Sequence, residues 1–294
     1  MKYYLIIFFL LIPLPGNSQV RGTILDKETR EPIPYANISI ENTAIGTTSD
    51  MKGNFHFKEA SIDEILVISS VGFEIKYFTL CDTIVEILLQ PKTYEIGFVT
   101  INPIKNPKKI WVNEIPNRNC SNYLVCSGYP WMSARYFEYR IEYQVCPIIK
   151  EIKILTHSEI SGSKFNIRII SANENGEPSE DIVGENLIAE TKKGKHIITV
   201  NIEDLNFRFP KNGFYVAVEW LIINDNKFNF IYTMKGEKEK RNELRYDPKF
   251  AAFPKKGTIM TWSYSGGKWK QSSFQDYSKN GEYLDLAIEL VLTE

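Results

Sequence analysis

Histidine is scarce in this chain of 294 residues. There are three, His56, His157 and His196. Catalytic zinc needs three protein ligands and one open position, so histidine-based chemistry has few places to sit. The Gly-x-Ser-x-Gly elbow of serine hydrolases is absent, and no glycine-rich phosphate loop precedes a helical pattern. Charge of one sign is also missing. The 35 Lys and Arg against 36 Asp and Glu give a formal net charge of -1, which offers no electrostatic case for nucleic acid or an anionic membrane. No convincing helical period occurs anywhere, and beyond the first residues no stretch approaches the length of apolar chain that spans a bilayer.

Cysteine is sparse as well. Cys81, Cys120, Cys126 and Cys146 allow three pairings, and spacing does not choose among them. Cys120 and Cys126 have no histidine nearby, which is poor spacing for structural zinc. One loop disulfide with the remaining thiols buried is the expectation, with no metal and no cofactor.

What is present begins with "MKYYLIIFFLLIPLPGNSQ". A positive Lys2, a short apolar run and small residues at Gly16 and Ser18 read as a signal peptide over 1–18, cleaved before Gln19. The expectation is an exported protein, located in the periplasm, at the outer-membrane surface or secreted, with no transmembrane segment once cleaved. Composition, 43% hydrophobic and 24% charged, suits two globular domains.

From residue 19 to 91 the pattern has a period of two. In "ANISIE" Ala36, Ile38 and Ile40 point one way, and Asn37, Ser39 and Glu41 the other. "GTTSDMKGNFHF", Gly46 to Phe57, is a turn between two strands. Asp50 can bond its own backbone and Gly53 accepts positive φ, after which Phe55 and Phe57 face the core and His56 faces out. "EILVISS", "FEIKYFTL" and "IVEILLQ" continue the alternation. This predicts a small antiparallel β-sandwich.

The motifs Gly22 to Asp26, Pro32 to Ile38, Gly46 to Phe57 and Ile68 to Glu74 together resemble the carboxypeptidase regulatory-like domain, a transthyretin-like sandwich. Similar domains begin many secreted and outer-membrane proteins of Gram-negative bacteria, including TonB-dependent receptors. The resemblance implies a fold for residues 19–91 but no single activity, because the module is appended to many proteins. The peptidase chemistry in the family's name would need His56 and Glu59 of "HFKE" as zinc ligands. A strand places those two on opposite faces, so the reading here is no catalytic residue and no enzyme.

Residues 92–110 read as a linker, rich in proline and lysine, and 111–294 as a larger, jelly-roll-like β-sandwich. "YFEYRIEYQV" reads as one strand with Phe137, Tyr139, Ile141, Tyr143 and Val145 on one face, and "FYVAVEWL", apolar on both faces, as a central strand. The mixed-charge run Lys235 to Arg245 reads as a solvated loop. The oxygen-rich Ala172 to Asn186 is a hairpin loop whose spacing matches no calcium motif. "TWSYSGGKWKQ" sets Trp262, Tyr264 and Trp269 around a Gly-Gly turn. Packing of the sandwich end is the simpler account of these rings, and stacking on sugar rings is the functional one. "GYPWMS", Gly128 to Ser133, is a second aromatic loop of the same kind. The functional expectation is an exported, non-enzymatic binding or cell-envelope interaction protein. The alternatives are a glycan-binding accessory protein of polysaccharide uptake and a hydrolase with an unrecognised site.

Overall fold

The computed structural model describes residues 19–57, 60–93, 107–116, 119–234, 236, 239–272 and 282–294. The expected signal segment 1–18, and most of the expected linker, lie outside the described residues. The fold is all-β. Helix among the described residues is confined to three short 3-10 turns, at Ile141–Val145, Glu203–Leu205 and Asn224–Asn226. No helix among these residues is long and apolar enough to cross a membrane.

The turn at Asp50 works as its residues require. Asp50 Oδ1 accepts the backbone N–H of Lys52 at 2.8 Å and of Asn54 at 2.9 Å. Gly53 holds φ +73°, and a Cβ there would stand 2.5 Å from the Ile24 carbonyl oxygen. The chain thereby leaves β3 (Gly46–Thr48) in one sheet and enters β4 (Asn54–Phe57) in another. β4 pairs antiparallel with β1 (Val20–Asp26), which pairs in parallel with β7 (Ile84–Leu89). β3 lies beside β2 (Asn37–Ile40), then β5 (Ile65–Ser69) and β6 (Lys76–Thr79). Phe55, Phe57, Val85, Ile87 and Leu89 from the first sheet meet Ile38, Ile40, Leu66 and Ile68 from the second. Each such side chain contributes roughly 1.5–3 kcal/mol on full burial, which is what closes this small sandwich.

The second sandwich packs a seven-stranded sheet on an eight-stranded one. The seven-stranded sheet runs β13 (Pro178–Asp181), β12 (Ser163–Ala172), β16 (Phe214–Trp220), β10 (Met132–Phe137), β19 (Thr261–Ser265) and β20 (Lys268–Gln271), with β14 (Leu187–Thr191) also on β12. The other runs β17 (Lys227–Thr233), β18 (Lys240–Lys256), β11 (Ile148–Ser158), β22 (Ile288–Thr293) and β8 (Lys109–Val112). Onto it β9 (Asn122–Cys126) and β21 (Glu282–Leu286) pair with β18, and β15 (Gly194–Asn201) pairs with β11. Phe165, Ile167, Ile169, Val216, Val218 and Trp220 face Ile152, Ile154, Ile288 and Leu290 across the core. All seven residues of β16 are buried, as a central strand with both faces covered demands.

Three expectations need correction. The strand read over "YFEYRIEYQV" stops at Phe137, and Ile141–Val145 is a 3-10 turn. A spacing of three brings Tyr143 and Cys146 to the same core, while Ile141 and Val145 stay exposed. The aromatic partners Tyr139 and Phe209, with ring centroids 6.2 and 4.9 Å from that of Tyr143, reward this geometry. The run Lys235 to Arg245 is not all loop, since β18 begins at Lys240 and pairs with β17 through Arg245. There the Arg245 guanidinium lies 3.8 Å from the Phe230 ring centroid, a cation–π contact that supports the strand. The expected loop disulfide is absent, and all four cysteines are free. Cys126 is buried, with Sγ 3.2 Å from the Tyr129 carbonyl oxygen, and burial pushes its thiol pKa up to about 12.

One buried carboxyl makes stability depend on pH. Asp247 is fully buried, its Oδ2 accepts the Ser158 hydroxyl and the Glu159 N–H, and its Oδ1 has no partner. Burial pushes its carboxyl above the ordinary 3.8, against the opposing hydrogen bonds. A raised folded value favours the neutral form, so this contribution is complete below pH 3.8 and is lost as pH rises through the folded value. Denaturant midpoints for Asp247→Asn and the native chain should therefore converge in acid and diverge toward neutrality, with the variant the more resistant. A constant offset across that range would refute the assignment.

Candidate functional site

The outer face of the seven-stranded sheet carries the aromatic residues singled out in the sequence. Tyr264 and Trp269 face each other across the β19–β20 hairpin, with ring centroids 5.1 Å apart, while Trp262 lies opposite Gln271. The structure therefore brings the three rings together, but it uses them unequally. Trp262 and Trp269 keep part of their surface in solvent, whereas Tyr264 is buried on Met132, Ala134 and Ala217. Burial raises the Tyr264 phenol above its ordinary value, and Ser69 of the first sandwich hydrogen-bonds to it. The Gly-Gly turn also meets the first sandwich. A Cβ on Gly266 would stand 2.5 Å from the Thr43 carbonyl oxygen, and Lys268 Nζ donates to Asn42 Oδ1 at 2.7 Å.

This hairpin is one edge of a joint between the two sandwiches. The β2–β5 face carrying Asn37, Ser39 and Ser69, polar by alternation, is buried against the second sandwich. At its centre lies Arg168. Its Nε donates to Asp181 Oδ1 at 2.8 Å and its Nη2 to Asp181 Oδ2, while Nη1 sits 3.5 Å from Glu219 Oε1. Asn166 donates to Glu219 Oε2 at 3.1 Å, and Asn37 reaches Glu219 Oε1 from the first sandwich at 3.4 Å. Burial lowers the affinity of Arg168 for its proton, but the charges of Asp181 and Glu219 outweigh it and hold the guanidinium ionised. Burial raises Glu219, with Arg168 opposing. Asp181, held by both ends of the fork, is therefore the principal counter-ion of Arg168. Thr48 Oγ1 accepts the Ile222 N–H at 2.9 Å, and Lys92 pairs with Glu180 at 2.7 Å, adding two more ties across the joint.

Beside the joint the two sandwiches frame an open cleft of about 1190 Å3. One wall is the turn at Asp50 with β4, and the other comprises Ser127–Tyr129, Ile222–Asp225 and the start of the β17–β18 hairpin. The turn at Asp50 and the "GYP" loop, far apart in sequence, thus share one cavity. Sequence reasoning singled out both stretches but had no signal to join them. The joint residues Arg168 and Glu219 were missed too. Their trace was a charge set in otherwise apolar strands, "KFNIRIISA" and "FYVAVEW".

Other candidates resolve simply. His56 is exposed on β4 between buried Phe55 and Phe57, opposite Arg21, and Glu59 lies outside the described residues. His56→Ala should change folding free energy by no more than roughly 0.5 kcal/mol; a larger loss in urea denaturation would contradict its outward placement. The segment from Ala172 to Asn186 is not all loop, since it contains β13; in it Asn173 Oδ1 accepts the N–H of Asn175 and of Glu177, Glu180 pairs with Lys92, and Asp181 pairs with Arg168. The side-chain oxygens of Asn173, Glu180 and Asp181 are thus committed within the protein.

The first sandwich, with its Asp-turn-Gly corner and seven short strands, has the architecture of a small appended β-module. Residues 20–101 match the CarboxypepD_reg-like domain family, and the N-terminal unit is a domain of that family. The chain is 30% identical over 105 residues to "TonB-dependent receptor P3" of Formosa agariphila, a match covering 34% of this chain and 10% of the receptor. It thus spans about a tenth of that receptor's length. Among solved structures, a DUF3823 family protein from Bacteroides uniformis is 10% identical, with 78% of this chain and 96% of that one covered and a TM-score of 0.19. An infectious bursal disease virus structure of the Gx strain is 8% identical, with 94% and 60% covered and a TM-score of 0.25. Scores at this level carry no argument about this chain.

Proposed function

We propose that this is an exported, non-enzymatic binding protein of the cell envelope, and that it binds in the cleft between its two sandwiches. The observation that carries this reading is the joint itself. Hydrogen bonds at Asn37, Asn42 and Thr48 and the Lys92–Glu180 pair tie the CarboxypepD_reg-like domain to the second sandwich beside a buried charge network, so the cleft walls are preorganised rather than left to a flexible tether. The envelope setting rests on the family of the first domain, on the local likeness to a TonB-dependent receptor and on the signal-like N-terminus. A photoreactive residue in place of Tyr129 tests the reading in cells expressing the full chain. It should crosslink to an envelope component, while the same probe at Ile141, outside the cleft, should not. Equal crosslinking from both positions, or retention of the chain in the cytoplasm, would count against it.

A glycan-binding role in polysaccharide uptake is the second reading. It is favoured by the partial exposure of Trp262 and Trp269 on a sheet face. Retardation of the protein in gels cast with polysaccharide, relieved in Trp262→Ala and Trp269→Ala, is the expected outcome on that reading.

A further inference from the structure

The cleft has a composition that discriminates among ligand classes. Three of the large apolar side chains that the protein leaves in solvent line it: Met51 at 65% exposure, Ile84 at 77% and Tyr129 at 49%. The β17–β18 hairpin extends this surface. Its register puts Lys227 with Tyr246, Asn229 with Leu244 and Ile231 with Asn242, so exposed Ile231 shares the face whose Leu244 and Tyr246 line the cleft. Tyr129 offers a flat ring, but Met51, Ile84 and Ile231 offer a sugar none, and they pack well against the side chains of another polypeptide.

The backbone around the cleft is also incompletely paired. β4 is the end strand of its sheet, bonded to β1 on one side, and β17 is the end strand of the eight-stranded sheet and starts at the cleft with Lys227. End strands present N–H and C=O groups that an added strand can satisfy.

Charge then narrows the occupant. Two carboxylates line the cleft among the described residues, and both are committed. Asp50 accepts from Lys52 N, Asn54 N and Asn54 Nδ2, and Asp225 is paired with Lys164 at 3.1 Å. Of the cations, the Arg21 guanidinium has one hydrogen bond, to Gln19, and Arg21, Lys52 and Lys227 have no carboxylate partner among the described residues. With Asp225 neutralised by Lys164, Arg21, Lys52 and Lys227 outnumber the Asp50 carboxylate, so the cleft presents net positive charge next to exposed aliphatic surface and open strand edges.

We propose that the cleft takes an extended, acidic segment of a partner protein. The segment adds as a β-strand, its carboxylates meeting Arg21, Lys52 and Lys227 and its alternate apolar residues meeting Met51, Ile84 and Tyr129. This rests on the cleft being the binding site, as proposed above, and names what fills it.

The test uses the full exported chain and a phage-displayed library of random short linear peptides. Selected sequences should alternate Asp or Glu with β-branched or aromatic residues. A synthetic peptide of the selected sequence should bind less tightly as salt rises. N-methylation of its alternate backbone nitrogens should abolish binding, because a strand needs those donors. The double variant Lys52→Glu, Lys227→Glu, whose side chains lie at the surface, should keep the native melting temperature and lose at least about tenfold in affinity. Selection of no peptide, or of peptides without acidic residues, would overturn the proposal. So would binding that survives the double variant or N-methylation. Polygalacturonate binding in the cleft where no peptide binds would overturn it in favour of an acidic glycan, yet leave the wider binding-protein reading standing. Failure of both ligands, together with equal crosslinking from Tyr129 and Ile141, would remove that reading as well.

Discussion

Arg168→Ala should destabilise the protein by about 3–5 kcal/mol, the usual consequence of removing one partner from a buried ion pair. The reason is what it leaves behind. Glu219 would remain buried and Asp181 partly buried, and the two hydrogen bonds from the guanidinium fork to Asp181 would vanish. Glu219 cannot turn to water without breaking the joint, because it is also held by Asn166 and by Asn37 from the other sandwich. The native chain should unfold as one cooperative transition, since its two cores share this interface. In the variant the transitions of the two sandwiches should separate in calorimetry, the joint having lost the charge that neutralises it. Binding in the cleft should weaken in parallel, because its walls belong to different sandwiches. A variant that melts as a single transition within about 1 kcal/mol of the native stability would show that the network contributes only what an exposed pair does.

Trp220→Ala should cost a comparable amount, about 3–5 kcal/mol for deleting a large buried aromatic. Trp220 closes the second core. Its ring stacks on Trp131 with centroids 4.2 Å apart, meets Phe250 edge-on at 4.6 Å, and its indole N–H donates to the Pro248 carbonyl at 2.7 Å. Trp220→Phe should lose less, about 1–3 kcal/mol, since most of the volume stays and the orphaned Pro248 carbonyl becomes the main penalty. The same residue bears on function. Trp220 N–H donates to the Trp131 carbonyl at 3.2 Å, and Trp131 continues the loop that sets Tyr129 in the cleft. Urea denaturation of both variants gives the ordering, and Ala costing no more than Phe would show that the Trp131 stack contributes little.

Much of the architecture was legible from strand periodicity. Period two in "NFHF" and "IVEILL" assigned Phe55, Phe57, Val85, Ile87 and Leu89 to a core, and each is buried. Asp50 and Gly53 defined a corner because one side chain bonds its own backbone and the other lacks a Cβ, both purely local effects. The two-sided apolarity of β16 announced a central strand. Local chemistry sufficed wherever the deciding atoms lay within a few residues of one another.

Alternation names two faces for a strand, but it does not say what covers the second. Alternation set Asn37 and Ser39 opposite the apolar face of Ala36, Ile38 and Ile40, and in the fold they and Ser69 are buried against another sheet. Their polarity suits them to Glu219 and Tyr264, partners that lie more than a hundred residues away. The rings at Trp262, Tyr264 and Trp269 were visible as a cluster, but it was the joint that took Tyr264 out of solvent and left part of the two tryptophans in it. The 3-10 turn at Ile141–Val145 broke a well-alternating pattern for the same kind of reason, since Phe209, distant in sequence, supplied the partner that made a period of three the better fit. The cleft is the extreme case. It exists in neither sandwich alone, because Met51 and Tyr129 share a cavity only once the contacts across the joint have set one sandwich against the other.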